Sequence, residues 1–515
     1  MNYPIGIQSF SKIRESGYLY IDKTKYIPLL LKSSQYVFLS RPRRFGKSLL
    51  VSMLESFFKG ERKLFDGLAI ADLMPEQWEC HPIIHLDLSG EDYKDSEVLE
   101  MKLSSFLDGF ESSLELQSAN KTLSERFRAI VRTLHQSTGS RVVVLIDEYD
   151  NPITSAIGNS ELQERFRSIL YSFYASLKSL DEHLHFCMLT GVTKYGHLSV
   201  FSGLNNLMDI SLQNEFAGIC GITEEELHAL EPGVHLLATE DNMSVDQAFG
   251  LLKEWYDGYH FSKSLVDVYN PFSVMNALAR REVADYWFQT GTPTILIKTL
   301  QNHSLGIEKL NGLKASADML GNISALNINP VALFYQTGYL TIKAYDKASR
   351  LYVLGYPNKE VESGLMDNML NAYGHISDSR VLVSDLKSFL EQGKTAEFVE
   401  TLKTFFANIP YDLRRNVEKY ENYYHTVFYV LLRLLGMDVE AEYHTSEGSI
   451  DIVIETKAYL YIIELKINGS AEDAINQINE RSYTAPFAGD VRKVVKLGIG
   501  FAEHTHTIDS YIIAQ

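Results

Sequence analysis

"SRPRRFGKSLLVSMLESFF", Ser40 to Phe58, is the stretch that decides the fold. The residues before and at its start, "QYVFLS" (35–40), form a short apolar run of the kind that makes a buried strand. From Ser48 to Phe58 the composition is helix-forming. Gly46-Lys47-Ser48 falls at the join. A helix N-terminus offers unpaired backbone N–H groups and a partial positive charge, which together attract anions. Gly46 lets the backbone approach closely, Lys47 can reach phosphate oxygens, and the Ser48 hydroxyl can ligate Mg2+. The general phosphate-loop pattern places a further glycine five residues before Gly46. Arg41 occupies that position. The stretch is therefore either a phosphate loop with an altered lip or a basic turn that contains Gly-Lys-Ser.

Working outward, "RVVVLIDEYD" (141–150) carries an apolar run from Val142 to Ile146 and ends in acid. Such a run reads as a strand buried on both faces of a parallel sheet. Asp147 and Glu148 then lie at the carboxyl end of that strand and face the same crevice as the loop. An Asp there can hold a magnesium shell, and the Glu after it can orient an attacking water. "HPIIHLDLS" (81–89) and "LHFCMLTG" (184–191) read as two more strands, alternating with helical stretches over 97–136 and 161–180. Alternation of this kind predicts crossover units and a mostly parallel sheet. Thr190, Thr193 and Lys194, in "TGVTK", are either sensors of a terminal phosphate or ordinary loop residues. Arg44, Phe45 and Leu49 flank Gly46-Lys47-Ser48 and join the expected nucleotide-binding set.

Six motifs carry a resemblance: "YIDKTKYIPLLL" (20–31), "FLSRPRRFGKSLL" (38–50), "VLIDEYDNPI" (144–153), "LTGVTKYGHLSVFSGLNNL" (189–207), "WYDGYHF" (255–261) and "YNPFSV" (269–274). Over roughly residues 4–290 the chain resembles the bacterial AAA-ATPase-like family, a branch of P-loop ATPases. The resemblance implies an α/β P-loop NTPase core with a helical lid, ATP and Mg2+ as ligands, and ATP hydrolysis. An arginine commonly replaces the first loop glycine in that family, so Arg41 fits it. Arg41, Arg43 and Arg44 either pack against acidic neighbours such as Asp147 or Asp150, or add charge toward the nucleotide.

A second set of charges closes the chain. "GSIDIVIE" (448–455) and "YLYIIELK" (459–466) read as strands joined through "ETKA" (455–458). A turn centred there places Asp451 opposite Ile462, with Glu464 as its diagonal neighbour on the same face. Side chains alternate along a strand, so Lys466 shares that face with Glu464. Two carboxylates that close can share a divalent metal, and Lys466 can hold a water or stabilise charge developing on a phosphate. Glu421 and His425, four apart on a preceding helix, share one face of it and can complete the site. An ion-paired, half-exposed sheet face would also read D…ExK, but "YLYIIELK" is apolar up to its charges, and buried charges need partners or a metal. Over roughly 390–505 the segment resembles the PD-(D/E)XK nuclease superfamily. The match runs through Glu421, Gly448, Asp451, Glu464, Lys466, Gln477 and Tyr483. It implies a restriction-endonuclease-like fold, a metal held by Asp451 and Glu464, and cleavage of nucleic acid. Ser449 stands where this branch often has Arg.

At 515 residues the chain is too long for one core. The expected division is an ATPase core over 1–215, a helical lid over 216–291, a mixed winged-helix-like region over 292–385 and the nuclease-like domain over 386–515. In the lid, "TEEEL" (223–227) has Thr223 as N-cap and Glu226 three residues on. Residues 331–358 read as a helix followed by a hairpin. A net charge of −18 argues against a chain that coats DNA, so any contact with nucleic acid is local. Three scattered cysteines, Cys80, Cys187 and Cys220, fit a reducing cytoplasm better than a disulfide scaffold. No signal peptide or 18-residue apolar span is read, so a cytoplasmic protein away from membranes is expected. DNA is expected as partner ahead of RNA, and a homo-oligomer is open. The competing reading is an ATP-gated assembly switch whose nuclease-fold domain recognises without cutting.

Overall fold

The computed structural model describes residues 2–76, 78–117, 121–194, 206–288, 296–297, 299–300, 307–321, 329–374, 379–407, 427–436, 438–445, 448–467, 469–502 and 507–514. The chain divides into two compact units, residues 1–291 with 310–361, and residues 292–309 with 362–515.

The first unit is built on five parallel strands: β1 (Tyr36–Ser40), β2 (Ile83–Asp87), β3 (Val142–Asp147), β4 (Leu184–Gly191) and β5 (Met208–Asp209). Their order across the sheet is β2-β3-β4-β1-β5. Both β1 and β3 are buried throughout, which is why they read as unbroken apolar runs. Strand β4 lies between them. The loops leaving β1, β3 and β4 therefore emerge side by side at one sheet edge. The helix Lys47–Phe58 follows β1 directly. The helical stretch expected over 97–136 contains two helices, Ser96–Ser113 and Leu123–Thr138. Edge strand β5 is only two residues long, and no pattern in the sequence announced it.

Beyond the sheet, β6 (Ile222–Thr223) pairs antiparallel with β7 (Val268–Tyr269). Thr223 caps the helix Glu224–His228 and Glu226 returns the bond, as the sequence predicts. The helices Glu231–Glu240, Val245–Tyr256 and Pro271–Arg280 bury Val234, Leu237, Leu252, Val274 and Leu278 in one apolar core. β8 (Lys314–Ala315) then joins the hairpin β9 (Thr341–Asp346) and β10 (Leu351–Gly355) in an antiparallel sheet. The helix Pro330–Thr337 precedes that hairpin, the expected order, and ends at Gly338 with φ 92°. A Cβ on Gly338 would lie 2.7 Å from Pro42 Cβ, so this turn packs directly on the loop after β1.

The second unit holds a mixed sheet in the order β11 (Asp438–Thr445), β12 (Gly448–Glu455), β13 (Tyr459–Ile467), β14 (Lys493–Phe501), β15 (Ile508–Ala514). Only the β13–β14 pair is parallel. The helix Ala471–Glu480 connects those two strands, as parallel pairing requires. Two strands follow that helix, and β11 was not anticipated. The hairpin register also differs from the expected one. Ile452 pairs with Ile463 and Glu455 with Leu460, a shift of two residues. The cause is the turn: Thr456 N–H donates to Tyr459 O at 2.9 Å, which centres the reversal on Lys457 and Ala458.

Two candidate functional sites

At the edge of the first sheet, Gly46 takes φ 94° and Arg44 φ 69°. Both lie in the left-handed region, which costs an arginine energy and gives Gly46 its reason to be glycine. Gly46 starts the helix Lys47–Phe58. Lys47 is nearly fully buried, with Nζ 3.3 Å from Pro42 O and 3.2 Å from Glu148 Oε1. Glu148 itself has φ 52°, a strained backbone held at the end of β3. Beside it, Asp147 accepts from the Thr190 hydroxyl and from Glu148 N–H at 3.0 Å. Burial raises the Asp147 pKa, and the Ser48 and Thr190 hydroxyls hydrogen-bonded to it oppose the rise. Thus Lys47, Ser48, Asp147, Glu148 and Thr190 form one contiguous polar set.

That set stands at one end of a 470 Å³ cavity lined by residues from Arg43 to Leu50, by Ser89 and Gly90, and by Glu148 and Asn151. Its other walls are largely apolar, among them Ile5, Ile7, Ile222, Phe272 and Met275. The Arg44 guanidinium lies 4.9 Å from the centre of the Phe272 ring. Charged and hydroxyl groups beside apolar walls suit a nucleotide. The apolar end escaped the sequence reading. "YNPFSV" signalled it only as a motif: Asn270 caps the helix Pro271–Arg280 and thereby fixes Phe272 and Met275. Phe45 lines the cavity and also anchors the loop. Its ring packs on Tyr259 and Phe261, with centroids 4.7 and 5.3 Å away, and its carbonyl accepts Gly221 N–H at 3.0 Å.

Arg41 corrects the expectation. Its guanidinium donates to Ser40 O and Ser211 O, each at 2.9 Å, and to Phe216 O at 3.0 Å. It also stacks on Phe261 at 4.2 Å. It neither reaches the cavity nor touches Asp147 or Asp150, because carbonyls of the loop after β5 hold its donors. Asp150 in turn accepts from Val192 N–H, Thr193 N–H and the Thr193 hydroxyl at 3.1, 2.7 and 2.6 Å. Lys194 is likewise turned away from the cavity, with Nζ 2.5 Å from Asp209 Oδ2. Asp257 is also remote from the cavity lining, close to Glu224 and Asp267.

In the second unit, the observed ladder ends at Ile452–Ile463, so Asp451 and Glu464 are the next residue along each strand. Asp451 Oδ2 accepts Leu465 N–H at 2.8 Å, so the carboxylate closes the end of the ladder. Glu464 is 1% exposed. Its Oε1 accepts from Gln477 and from Lys466 Nζ at 3.1 Å, while Oε2 is buried with no hydrogen-bond partner among the described residues. Burial first, and then the charge of Asp451, raises the Glu464 pKa to about 7. Lys466 Nζ also donates to Gln477 Oε1 at 2.5 Å, and Tyr483 OH donates to Ser449 O at 2.7 Å. The helix bearing Gln477 comes this close because β14 is small beneath it. A Cβ on Gly498 would lie 2.6 Å from Ala471 O. Glu421 and His425 lie outside the described residues, as do Tyr423 and Tyr424. Phe428 is buried and packs 5.3 Å from Phe406.

The two constellations, a nucleotide-sized cavity at a parallel sheet edge and an acid–acid–lysine set on a mixed sheet, define an ATPase-like protein fused to a nuclease-like domain. Residues 4–201 match the family described as "Predicted AAA-ATPase", and residues 419–511 match the "PD-(D/E)XK nuclease superfamily". The chain belongs to the AAA-ATPase-like proteins that carry this C-terminal domain. A relative in Azotobacter chroococcum mcd 1, described as "Uncharacterized protein in vnfD 5'region", is 34% identical over 524 residues, covering 99% of this chain and 98% of its own length. Among the described residues no helix is long and apolar enough to cross a membrane.

Proposed function

We propose that the protein binds and hydrolyses ATP and that its C-terminal domain cleaves nucleic acid, DNA ahead of RNA, by metal-assisted phosphodiester hydrolysis. The observation that carries the reading is the orphaned, buried Glu464 Oε2 beside Asp451. Such an atom costs energy unless a cation or proton meets it.

Asp451 and Glu464 would hold the divalent ion, which would supply a Lewis acid and activate the attacking water. Lys466 positions that water and offsets charge on the phosphate, and Gln477 orients both Lys466 and Glu464 through its amide. Glu421 is proposed to complete the set. In the first unit, Lys47 and the backbone N–H groups after Gly46 bind the phosphates. Ser48 and Asp147 hold the Mg2+ that accompanies ATP. Glu148 orients the attacking water, and Thr190 fixes the Asp147 carboxylate. Arg44, Phe272 and Met275 bound the base end.

The test pairs two assays. Plasmid and single-stranded DNA are incubated with wild type and Lys466→Ala, with Mg2+ or Mn2+, with and without ATP. Equal cutting by both proteins removes the nuclease reading. ATP turnover is compared among wild type, Lys47→Ala and Glu148→Gln. The expected pattern is loss of binding in the first variant and retained binding without turnover in the second. Normal hydrolysis by Lys47→Ala removes the ATPase reading.

A further inference from the structure

Away from both sites, three carboxylates meet where the helix Val245–Tyr256 ends. Glu224 opens the helix after β6, Asp257 caps Val245–Tyr256, and Asp267 immediately precedes β7. One oxygen from each lies within 4.8 Å of the others. Acidic clusters of this size often do no more than share a lysine, and one is here: Lys253 Nζ is 3.0 Å from Glu224, 3.6 Å from Asp267 and 3.8 Å from Asp257. Asp257 is what separates this cluster from an ordinary one. It is 3% exposed, and its Oδ1 is buried with no hydrogen-bond partner among the described residues. An ammonium 3.8 Å from the other oxygen does not satisfy it.

The surroundings fit a cation. Asp257 sits at a helix C-terminus, where the macrodipole is negative. The outer two carboxylates are already oriented: Tyr269 OH donates to Glu224 Oε2 at 2.7 Å, and His260 Nε2 lies 2.7 Å from Asp267 Oδ1. Glu224 and Asp267 also line a 410 Å³ recess. With one oxygen from each within 4.8 Å of the others, the three carboxylates are close enough to share one hard divalent ion.

We propose that Glu224, Asp257 and Asp267 bind a hard divalent cation, and that the half-exposed Lys253 swings out to admit it. The ion would clasp β6 to β7. Ile222 of β6 and Phe272, just beyond β7, are walls of the large cavity. Bound cation would thus stiffen both walls, and any effect on ATP affinity rests on the nucleotide reading above, while the site itself does not.

The test is calorimetric titration of the nucleotide-free, full-length protein with Ca2+ alone, beside Asp257→Asn, Lys253→Ala and Glu464→Gln. Asp257→Asn should lose one equivalent that Glu464→Gln retains. Lys253→Ala should bind that equivalent roughly tenfold more tightly, because the competing charge is gone. Damage to the fold would weaken binding, not tighten it. Unchanged stoichiometry in Asp257→Asn, or no tightening in Lys253→Ala, overturns the site.

Discussion

The indole N–H of Trp287 donates to the carbonyl of Arg43 at 3.2 Å, which ties the lip of the phosphate loop to a residue 244 positions away. The backbone N–H of the same tryptophan donates to Glu360 Oε1 at 2.7 Å, and Ser273 donates to Glu360 Oε2 at 2.7 Å. Ser273 lies on the helix whose Phe272 and Met275 line the cavity. One buried carboxylate therefore holds the loop, through Trp287, and the apolar wall together.

Burial raises the Glu360 pKa to about 7, against 4.5 for a free carboxyl. A group whose folded pKa lies above its unfolded value stabilises the fold below the unfolded pKa and loses that contribution as pH rises to the folded one. Stability should thus fall between about pH 4.5 and 7, by on the order of 3 kcal/mol from this residue. Glu360→Gln should flatten the slope and equal or exceed wild type at pH 8 in urea unfolding. Parallel pH profiles for the two proteins would contradict it.

Arg41 has no partner in the cavity and three carbonyl acceptors in the core. Arg41→Ala should therefore cost stability, roughly 3 kcal/mol, since it opens a cavity and strands buried acceptors. ATP affinity of the folded protein should stay within about twofold, because the substitution lies outside the ligand's reach. Urea unfolding and nucleotide titration on one preparation separate the two effects. A large loss of affinity with unchanged stability would restore the lip to a binding role.

The parallel core was legible because its strands are buried on both faces, which writes a continuous apolar run into "RVVVLID" and "QYVFLS". Asp147 and Glu148 stood out because they follow the run ending at Ile146, and Lys47 because it follows Gly46 at the start of a helix. What the sequence hid was direction and partnership. Arg41 reads as charge, yet its five donors suit carbonyls that arrive from residues 211 and 216. Lys194 reads as either a phosphate sensor or an ordinary loop residue, and Asp209 on a two-residue edge strand claims it. The hairpin register failed by two because Thr456 tightens the turn, which no alternation pattern specifies. The face survived the error: a shift of two keeps every side chain on its side of the sheet.

Gly498 marks the closest approach of helix Ala471–Glu480 to β14. Gly498→Ala forces a methyl toward Ala471 O, Ile475 and Ala474, at a cost of roughly 1–3 kcal/mol, and pushes Gln477 off Glu464 and Lys466. DNA cleavage should drop at least tenfold while ATP turnover in the other unit stays normal. Comparing both activities on one sample checks this. Loss of both together would mean that the change unfolds more than the helix contact.

The final expectation concerns how metal and protons compete at Glu464. Its pKa near 7 arises from burial and from Asp451 across the ladder, so near neutrality about half the molecules carry a proton where the ion must bind. Metal binding requires the ionised form and releases that proton. At subsaturating Mn2+, apparent affinity should rise close to tenfold per pH unit below 7 and level off above it. Asp451→Asn removes the like charge, so the Glu464 midpoint should move down even as the site loses a ligand. A proton-release titration by calorimetry in two buffers measures both. If affinity is flat from pH 6 to 8, the orphaned oxygen is not where the metal goes, and the nuclease reading loses the observation that carries it.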